Sequence, residues 1–191
     1  MSPLLRILLL SGSTREPSYT SVLTRAVQRA LHRQGVETTF WNLRESTLPI
    51  ADPAFHNDPR NHPDEVVRSL VTVAEASDGF VLASPIYHNS YSGVLKNALD
   101  HLTIAQFRYK PVGLASHGGN RSSQAVDHLR IVVRGLLGVA IPAQVCTAAA
   151  DYHTSENEPV LGSEEILQRV ERFALELLVF AQTFRALRDG G

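Results

Sequence analysis

Gly79-Phe-Val-Leu-Ala-Ser-Pro-Ile-Tyr-His-Asn-Ser-Tyr-Ser-Gly-Val-Leu-Lys-Asn-Ala-Leu-Asp100 changes its periodicity half-way, and that change decides the fold. Gly79 to Ala83 is an unbroken apolar run of strand length. From Gly93 onward, Val94, Leu95, Ala98, Leu99 and Leu102 recur at helical spacing. The residues between them are rich in Pro, Tyr, His, Asn and Ser, and they follow the carboxyl end of a buried strand. In an open α/β sheet that edge is where ligands bind. A loop of this composition offers flat faces, backbone amides and hydroxyls to an aromatic heterocycle.

The same alternation runs outward in both directions. Leu4 to Leu10 predicts a buried parallel strand, nearly continuous in apolar residues. Tyr19 to Gln34 carries Val22, Leu23, Ala26, Val27, Ala30 and Leu31 on one helical face and stops at Gly35. Glu37 to Asn42 is a second strand. Residues Arg44 to His62 hold Pro49, Pro53 and Pro59 and predict a long surface loop. Pro63 suits a first helical turn, with the helix continuing from Asp64 to Ala76. Pro111 to Ser116 is a fourth strand, Arg121 to Leu137 a helix, and Ile141 to Ala148 a fifth strand. A last helix runs from Ser163, its N-cap, to about Arg188, with Glu164 and Glu165 complementing the dipole. Five strands alternating with helices predict one α/β domain over residues 1–191. The strand pattern fits a flavodoxin-like, doubly wound, five-stranded parallel sheet of order 2-1-3-4-5.

Composition narrows the function classes. The 191 residues are 43% hydrophobic and 19% charged, ordinary for a globular protein, and the net charge of −1 argues against a broad nucleic-acid footprint. Cys146 is the single cysteine, so no internal disulfide is expected. Arg6 interrupts the apolar run at the amino terminus, which is too short to span a bilayer. A cytoplasmic location is the expectation.

A second loop supplies what a phosphate needs. Ser11-Gly-Ser-Thr-Arg-Glu-Pro-Ser-Tyr-Thr-Ser21 joins the first strand to the first helix, where backbone N–H groups and the helix dipole favour an anion. Gly12 allows a tight turn, Ser13, Ser18, Thr20 and Ser21 offer hydroxyls, and Arg15 offers a charge-assisted bond. Neither a Walker loop nor a Gly-x-Gly-x-x-Gly fingerprint is present. The plainer reading is a set of turns and caps. In the Ser84 to Gly93 loop, Pro85 stiffens the strand exit, Tyr87 and Tyr91 could flank a flat ring, and Ser90 and Ser92 could bond its polar edge. The alternative is that the tyrosines pack over the sheet edge and His88 is only a loop histidine. A third loop, Ser116-His-Gly-Gly-Asn-Arg121, brings two glycines that let backbone approach a ligand. Arg121 reads either as an attractor for a second phosphate-bearing ligand or as a structural arginine.

In these three loops the chain resembles the NADPH-dependent FMN reductases of the flavodoxin-like superfamily. It looks most similar to the flavin reductases that serve two-component alkanesulfonate monooxygenases. The resemblance lies in Gly12-Ser13-x-Arg15-x-Pro17-Ser18-x-x-Ser21-x-Leu23, in Pro85-x-Tyr87-x-x-x-Tyr91-Ser92-Gly93-x-Leu95-Lys96, and in Gly118-Gly119. It spans about Leu5 to Ala148. It implies FMN at the carboxyl edge of the sheet, with Ser13, Arg15, Ser18, Thr20 and Ser21 around the phosphate. Pro85, Ile86, Tyr87, His88 and Tyr91 would line the ring, and Ser116, His117, Gly118 and Gly119 would close its other side. NADPH or NADH would stack on the flavin and pass hydride to N5, with no catalytic side chain and no metal.

One departure stands out. The alkanesulfonate-linked enzymes carry an extra tyrosine in the fourth helix, and this chain has His128 at the matching place. That leaves open whether FMN is released to a partner monooxygenase or retained. Retention would fit a quinone, azo-dye or metal-ion reductase, and a non-enzymatic alternative is a flavodoxin-like electron carrier or redox-sensing module. The last helix bears on assembly. Ile166, Val170, Phe173, Leu177, Phe180, Phe184 and Leu187 form one apolar stripe, and Leu167, Ala174, Leu178 and Ala181 a second. The extra width agrees with the family's homodimers and homotetramers.

Overall fold

A computed structural model describes residues 4–189. Its centre is a parallel sheet of β1 (Arg6–Ser11), β2 (Glu37–Asn42), β3 (Gly79–Pro85), β4 (Pro111–Gly118) and β5 (Val139–Ala148). The strand order is β2-β1-β3-β4-β5, as the sequence pattern predicts. Its helices are α1 (Tyr19–Arg33), α2 (Glu65–Ala76), α3 (Gly93–Asp100), α4 (Ile104–Phe107), α5 (Gln124–Gly135) and α6 (Glu164–Asp189). Strand side chains alternate between faces, which divides the core in two. Leu8, Leu10, Phe80, Leu82 and Leu114 meet apolar residues of α2, α3 and α5 on one face. Ile7, Leu9, Val81, Ala83 and Ala115 meet α1 and α6 on the other. The register pairs Ser11 with Ala83 and Ser84 with Ser116, so the loops after β1, β3 and β4 leave the same rim.

Several boundaries differ from the sequence reading, each for a local reason. The α2 helix starts at Glu65, not in the Pro63 turn, because Asp64 Oδ1 accepts the N–H groups of Val66 (2.8 Å) and Val67 (3.2 Å) as an N-cap. The α5 helix starts at Gln124, three residues after Arg121, because the preceding residues remain in the rim loop, where the Ser116 hydroxyl donates to the Ser122 carbonyl at 3.2 Å. The proline-rich segment contains two short 3₁₀ turns, Pro53–Phe55 and Pro59–Asn61. Asn97 Nδ2 donates to the Pro49 carbonyl at 2.8 Å and ties that segment to α3. An antiparallel hairpin of β6 (Tyr152–Ser155) and β7 (Glu158–Leu161) is absent from the sequence reading. Glu156 and Asn157 both have positive φ in its two-residue turn. On α6, Ile166, Val170, Phe173, Ala174, Leu177 and Ala181 are buried, while Leu167 and Leu187 stay exposed. Among the described residues no helix is long and apolar enough to cross a membrane.

At the amino edge of the sheet, Asp78 and Lys110 are satisfied by the chain itself. The Asp78 carboxylate accepts the Arg6 N–H at 3.0 Å and the Arg188 guanidinium at 2.9 Å, and it faces Arg185 at 3.5 Å. Lys110 Nζ, buried, donates to the Ala74 and Glu75 carbonyls at 2.9 and 3.0 Å and so caps the end of α2. Burial, reinforced by Arg188, pushes this ammonium down to about 8 against the pull of Asp78 and Glu75.

Candidate active site

The first rim loop is fixed to the second by serines. Gly12 N–H donates to the Ala83 carbonyl at 2.8 Å. A Cβ on Gly12 would lie 2.9 Å from Leu95 Cβ and 3.0 Å from Ser92 Oγ, so the crossing requires glycine. Ser92 Oγ donates to the Gly12 carbonyl at 2.6 Å and accepts the Leu95 N–H at 3.3 Å as the N-cap of α3. The Ser92 N–H donates to Ser84 Oγ at 2.8 Å. Ser92 therefore joins two loops and has no free edge for a ring, which corrects its expected role.

Beyond Gly12 the chain reaches the start of α1. Ser18 Oγ accepts the Ser21 N–H at 3.1 Å, and the Ser18 carbonyl accepts the Val22 N–H at 3.0 Å. The N–H groups of Tyr19 and Thr20 find no acceptor among the described residues. They form the positive end of the helix dipole. Arg15 is exposed and has no carboxylate partner among the described residues, since the neighbouring Glu16 pairs with Arg44.

These groups face a cleft of about 420 Å³. One end is made by Ser13, Arg15, Ser18, Tyr19 and Thr20. The rest is made by Pro85, Ile86 and Tyr87 and, beside them on the neighbouring strand end, His117, Gly118 and Gly119, with Ala149 also lining it. Ten of the fourteen residues singled out from the sequence thus share one cavity. Ser21, His88, Tyr91 and Ser116 do not line it. Ser21 bonds Ser11 Oγ at 2.9 Å on the inner side of α1. Tyr87 and Ser90 exchange backbone hydrogen bonds of 2.9 and 3.0 Å, and His88 and Asn89 take positive φ between them. This primed turn sends His88 to its exposed tip and brings Tyr91 back onto the core beside α3. Ser116 is fully buried and bonds the Ser122 carbonyl. His128 Nδ1 lies 2.9 Å from Ser90 Oγ and braces the same turn from α5.

Two tyrosines outside the expected set organise the cleft wall. The Tyr19 ring stacks on His117 with centroids 4.5 Å apart and planes 18° apart, and Tyr152 meets both rings edge-on. Tyr19 is the first residue of a helical run, where its aromatic character carries no distinguishing signal. Tyr152 belongs to the unforeseen hairpin. Burial pushes the His117 imidazole below its usual range, Arg15 adds to that, and Asp151 opposes it. Burial also raises the Tyr152 phenol.

Arg121 is structural. Its Nε lies 3.1 Å from both Asp151 carboxylate oxygens, and Nη1 lies 2.7 Å from Glu165. Burial alone would raise the Asp151 carboxyl, but the Arg121 and Ala148 hydrogen bonds outweigh it and hold it below the ordinary value. Cys146 is buried and its thiol is pushed up by burial. Among the described residues no His, Cys, Asp and Glu group could hold a metal ion.

Residues 5–153 match the family model described as NADPH-dependent FMN reductase. The chain belongs to this family. A relative from Staphylococcus saprophyticus, an FMN-dependent NADPH-azoreductase, is 35% identical over 177 residues, covering 92% of this chain and 94% of its own. A Staphylococcus aureus protein with the same name is 35% identical over 175 residues, 91% of this chain and 93% of its own. Among solved structures, the flavoenzyme NAD(P)H:(acceptor) oxidoreductase FerB from Paracoccus denitrificans superposes with a TM-score of 0.76. It is 19% identical, with 95% of this chain and 99% of the other covered. A flavodoxin from Streptococcus pneumoniae TIGR4 superposes with a TM-score of 0.59 at 15% identity, covering 93% and 99%. The reductase is therefore a flavodoxin-like α/β protein whose cleft lies at the carboxyl rim, between the loops after β1, β3 and β4.

Proposed function

We propose that this reductase retains FMN in the rim cleft, oxidises NADPH there, and delivers the electrons to an aromatic acceptor of the azo or quinone class. One observation carries the reading. A single cavity joins two unmatched amides and an unpaired guanidinium at one end to an apolar slot between Tyr87 and Gly119 at the other. That donor set fits a phosphomonoester, and the slot fits a flat ring system. Ser13, Arg15, Ser18 and Thr20 would hold the phosphate. Pro85, Ile86 and Tyr87 would line the ring site together with His117, Gly118 and Gly119 on the adjacent strand end. Ser21, Ser116 and Tyr91 would act behind that layer by fixing the loops, and His88 at the tip would face an incoming partner. A Cβ on Gly119 would meet no atom within 4 Å, so the backbone there is open to a ligand. FMN supplies the two-electron chemistry, and the protein binds, orients and shields it.

Acceptor class and flavin retention rest on the near full-length azoreductase relatives and on His128 in place of the alkanesulfonate-type tyrosine. The second reading, release of reduced FMN to a separate monooxygenase, is supported by the loop motifs and by a half-exposed Tyr87 at the cleft mouth. Homodimer or homotetramer assembly is supported by exposed Leu167, Leu175 and Val179 on α6. Purified protein should be yellow and should bleach an azo dye with NADPH and no added FMN. Anaerobic gel filtration after NADPH reduction should keep flavin with protein. Flavin eluting free would establish the release reading. Failure to oxidise NADPH with FMN, quinone or dye would overturn both.

A further inference from the structure

His117 stands in the cleft wall with one ring nitrogen accounted for and the other not. Its Nδ1 lies 3.1 Å from Thr147 Oγ1. Thr147 Oγ1 lies 3.3 Å from the Ser116 carbonyl and 3.0 Å from the Tyr152 phenol, which in turn lies 3.3 Å from the Tyr19 carbonyl. Carbonyls only accept. When Thr147 donates to Ser116 and Tyr152 donates to Tyr19, both hydroxyl protons are committed. The His117 contact is then a hydrogen bond only if Nδ1 carries the proton. In the reverse arrangement Thr147 donates to Nδ1, the Ser116 carbonyl loses this donor, and Tyr152 donates either to Thr147 or to the Tyr19 carbonyl. Three bonds form in the first pattern and two in the second. Thr147 and Ser116 are buried, so water does not replace what the second pattern loses.

Burial keeps the imidazole neutral, with Arg15 reinforcing and Asp151 opposing. With the proton on Nδ1, Nε2 is a bare lone pair. It has no partner among the described residues, while the stacked Tyr19 and the edge-on Tyr152 hold the ring plane. With Nδ1 anchored to Thr147, Nε2 is the free nitrogen of a ring that lines the cleft.

We propose that His117 Nε2 accepts a hydrogen bond from an imide or carboxamide N–H of a ligand in the cleft, and so selects for ligands that carry one. This rests on the FMN and NADPH reading of the site. FMN carries such a group at N3 of its pyrimidine ring, and the nicotinamide nucleotide carries one on its carboxamide. An acceptor of this kind discriminates against an analogue lacking the N–H, because the lone pair is then left unpaired.

The first test needs no bound ligand. Nitrogen-15 histidine spectra of flavin-free protein at neutral pH should show His117 as the Nδ1–H tautomer. An Nε2–H tautomer or a charged ring overturns the proposal. The second test compares FMN with 3-methyl-FMN on the flavin-free protein, and NADP⁺ with its 3-acetylpyridine analogue on the flavin-loaded protein. Binding is measured by calorimetry without turnover. Wild type should prefer the N–H ligand of one pair by about fivefold to tenfold, and that pair identifies the source. His117→Phe, which keeps the stack on Tyr19, should flatten the preference, and His117→Gln, whose amide oxygen accepts, should restore part of it. FMN binding with no preference in either pair, or an equal preference in His117→Phe, overturns this proposal alone. A protein that binds neither FMN nor NADP⁺ overturns the functional reading and this proposal with it.

Discussion

At the amino edge of the sheet Asp78 gathers Arg6, Arg185 and Arg188, and Lys110 gives its protons to two helix-end carbonyls. At the carboxyl edge of the same strands Arg15 faces no carboxylate among the described residues, and the Tyr19 and Thr20 amides face no acceptor. Both edges carry comparable polar groups. They differ in whether the chain satisfies those groups itself. Where it does, polar side chains hold the last helix and the sheet together. Where it does not, the unsatisfied donors converge on a cavity, the surface proposed here to bind the ligand. On the proposed function, stability and ligand recognition separate along the strand axis, and substitutions at the two edges should separate in the same way.

The largest effect should fall at the amino edge. Asp78→Ala removes the shared acceptor of three donors and should cost about 3 kcal/mol of folding stability in urea unfolding. The FMN affinity of the folded fraction should stay at the wild-type value. At the other edge, Arg15→Ala should weaken FMN binding by about 1.5–3 kcal/mol in calorimetry through the lost phosphate contact. Its unfolding midpoint should stay within about 0.5 kcal/mol of wild type. Equal loss of stability and affinity in either variant would break the separation. Gly119→Val places a side chain where no protein atom lies within 4 Å, and should reduce FMN affinity about tenfold with the fold intact.

A pH dependence sharpens the comparison at the amino edge. Lys110 titrates near 8 in the folded chain and near 10.4 unfolded, so between those values the unfolded chain holds the extra proton. Stability should therefore rise with pH across that window. Lys110→Met should lack this increment when the two proteins are unfolded in parallel from pH 7 to 10.5. A difference between the two proteins that stays constant with pH would show that Lys110 does not titrate there.

Much of this architecture is legible in the sequence because burial leaves a periodic trace. β1 and β3 are covered on both faces and read as unbroken apolar runs, and α1 shows its stripe from Val22 to Leu31. The β6–β7 hairpin left no such trace. It is mostly exposed, and its turn residues Glu156 and Asn157 lack the glycine that usually marks a primed turn. At the site, residues on strand ends and on the first loop were readable from their position alone. Tyr91 was not, because the direction of its side chain depends on the two-residue turn at His88 and Asn89, which composition does not reveal. Ser92 looked like a ligand group and serves as a cap and a tie between loops, two roles that demand the same hydroxyl. Tyr19 and Tyr152 join the wall only through tertiary contact across 133 residues.

The most direct test is a crystal structure of the FMN-soaked protein. Phosphate density is expected at the Tyr19 and Thr20 amides beside Arg15, with the ring between Tyr87 and Gly119. Ring density outside that slot, or phosphate held elsewhere than at the start of α1, would contradict it.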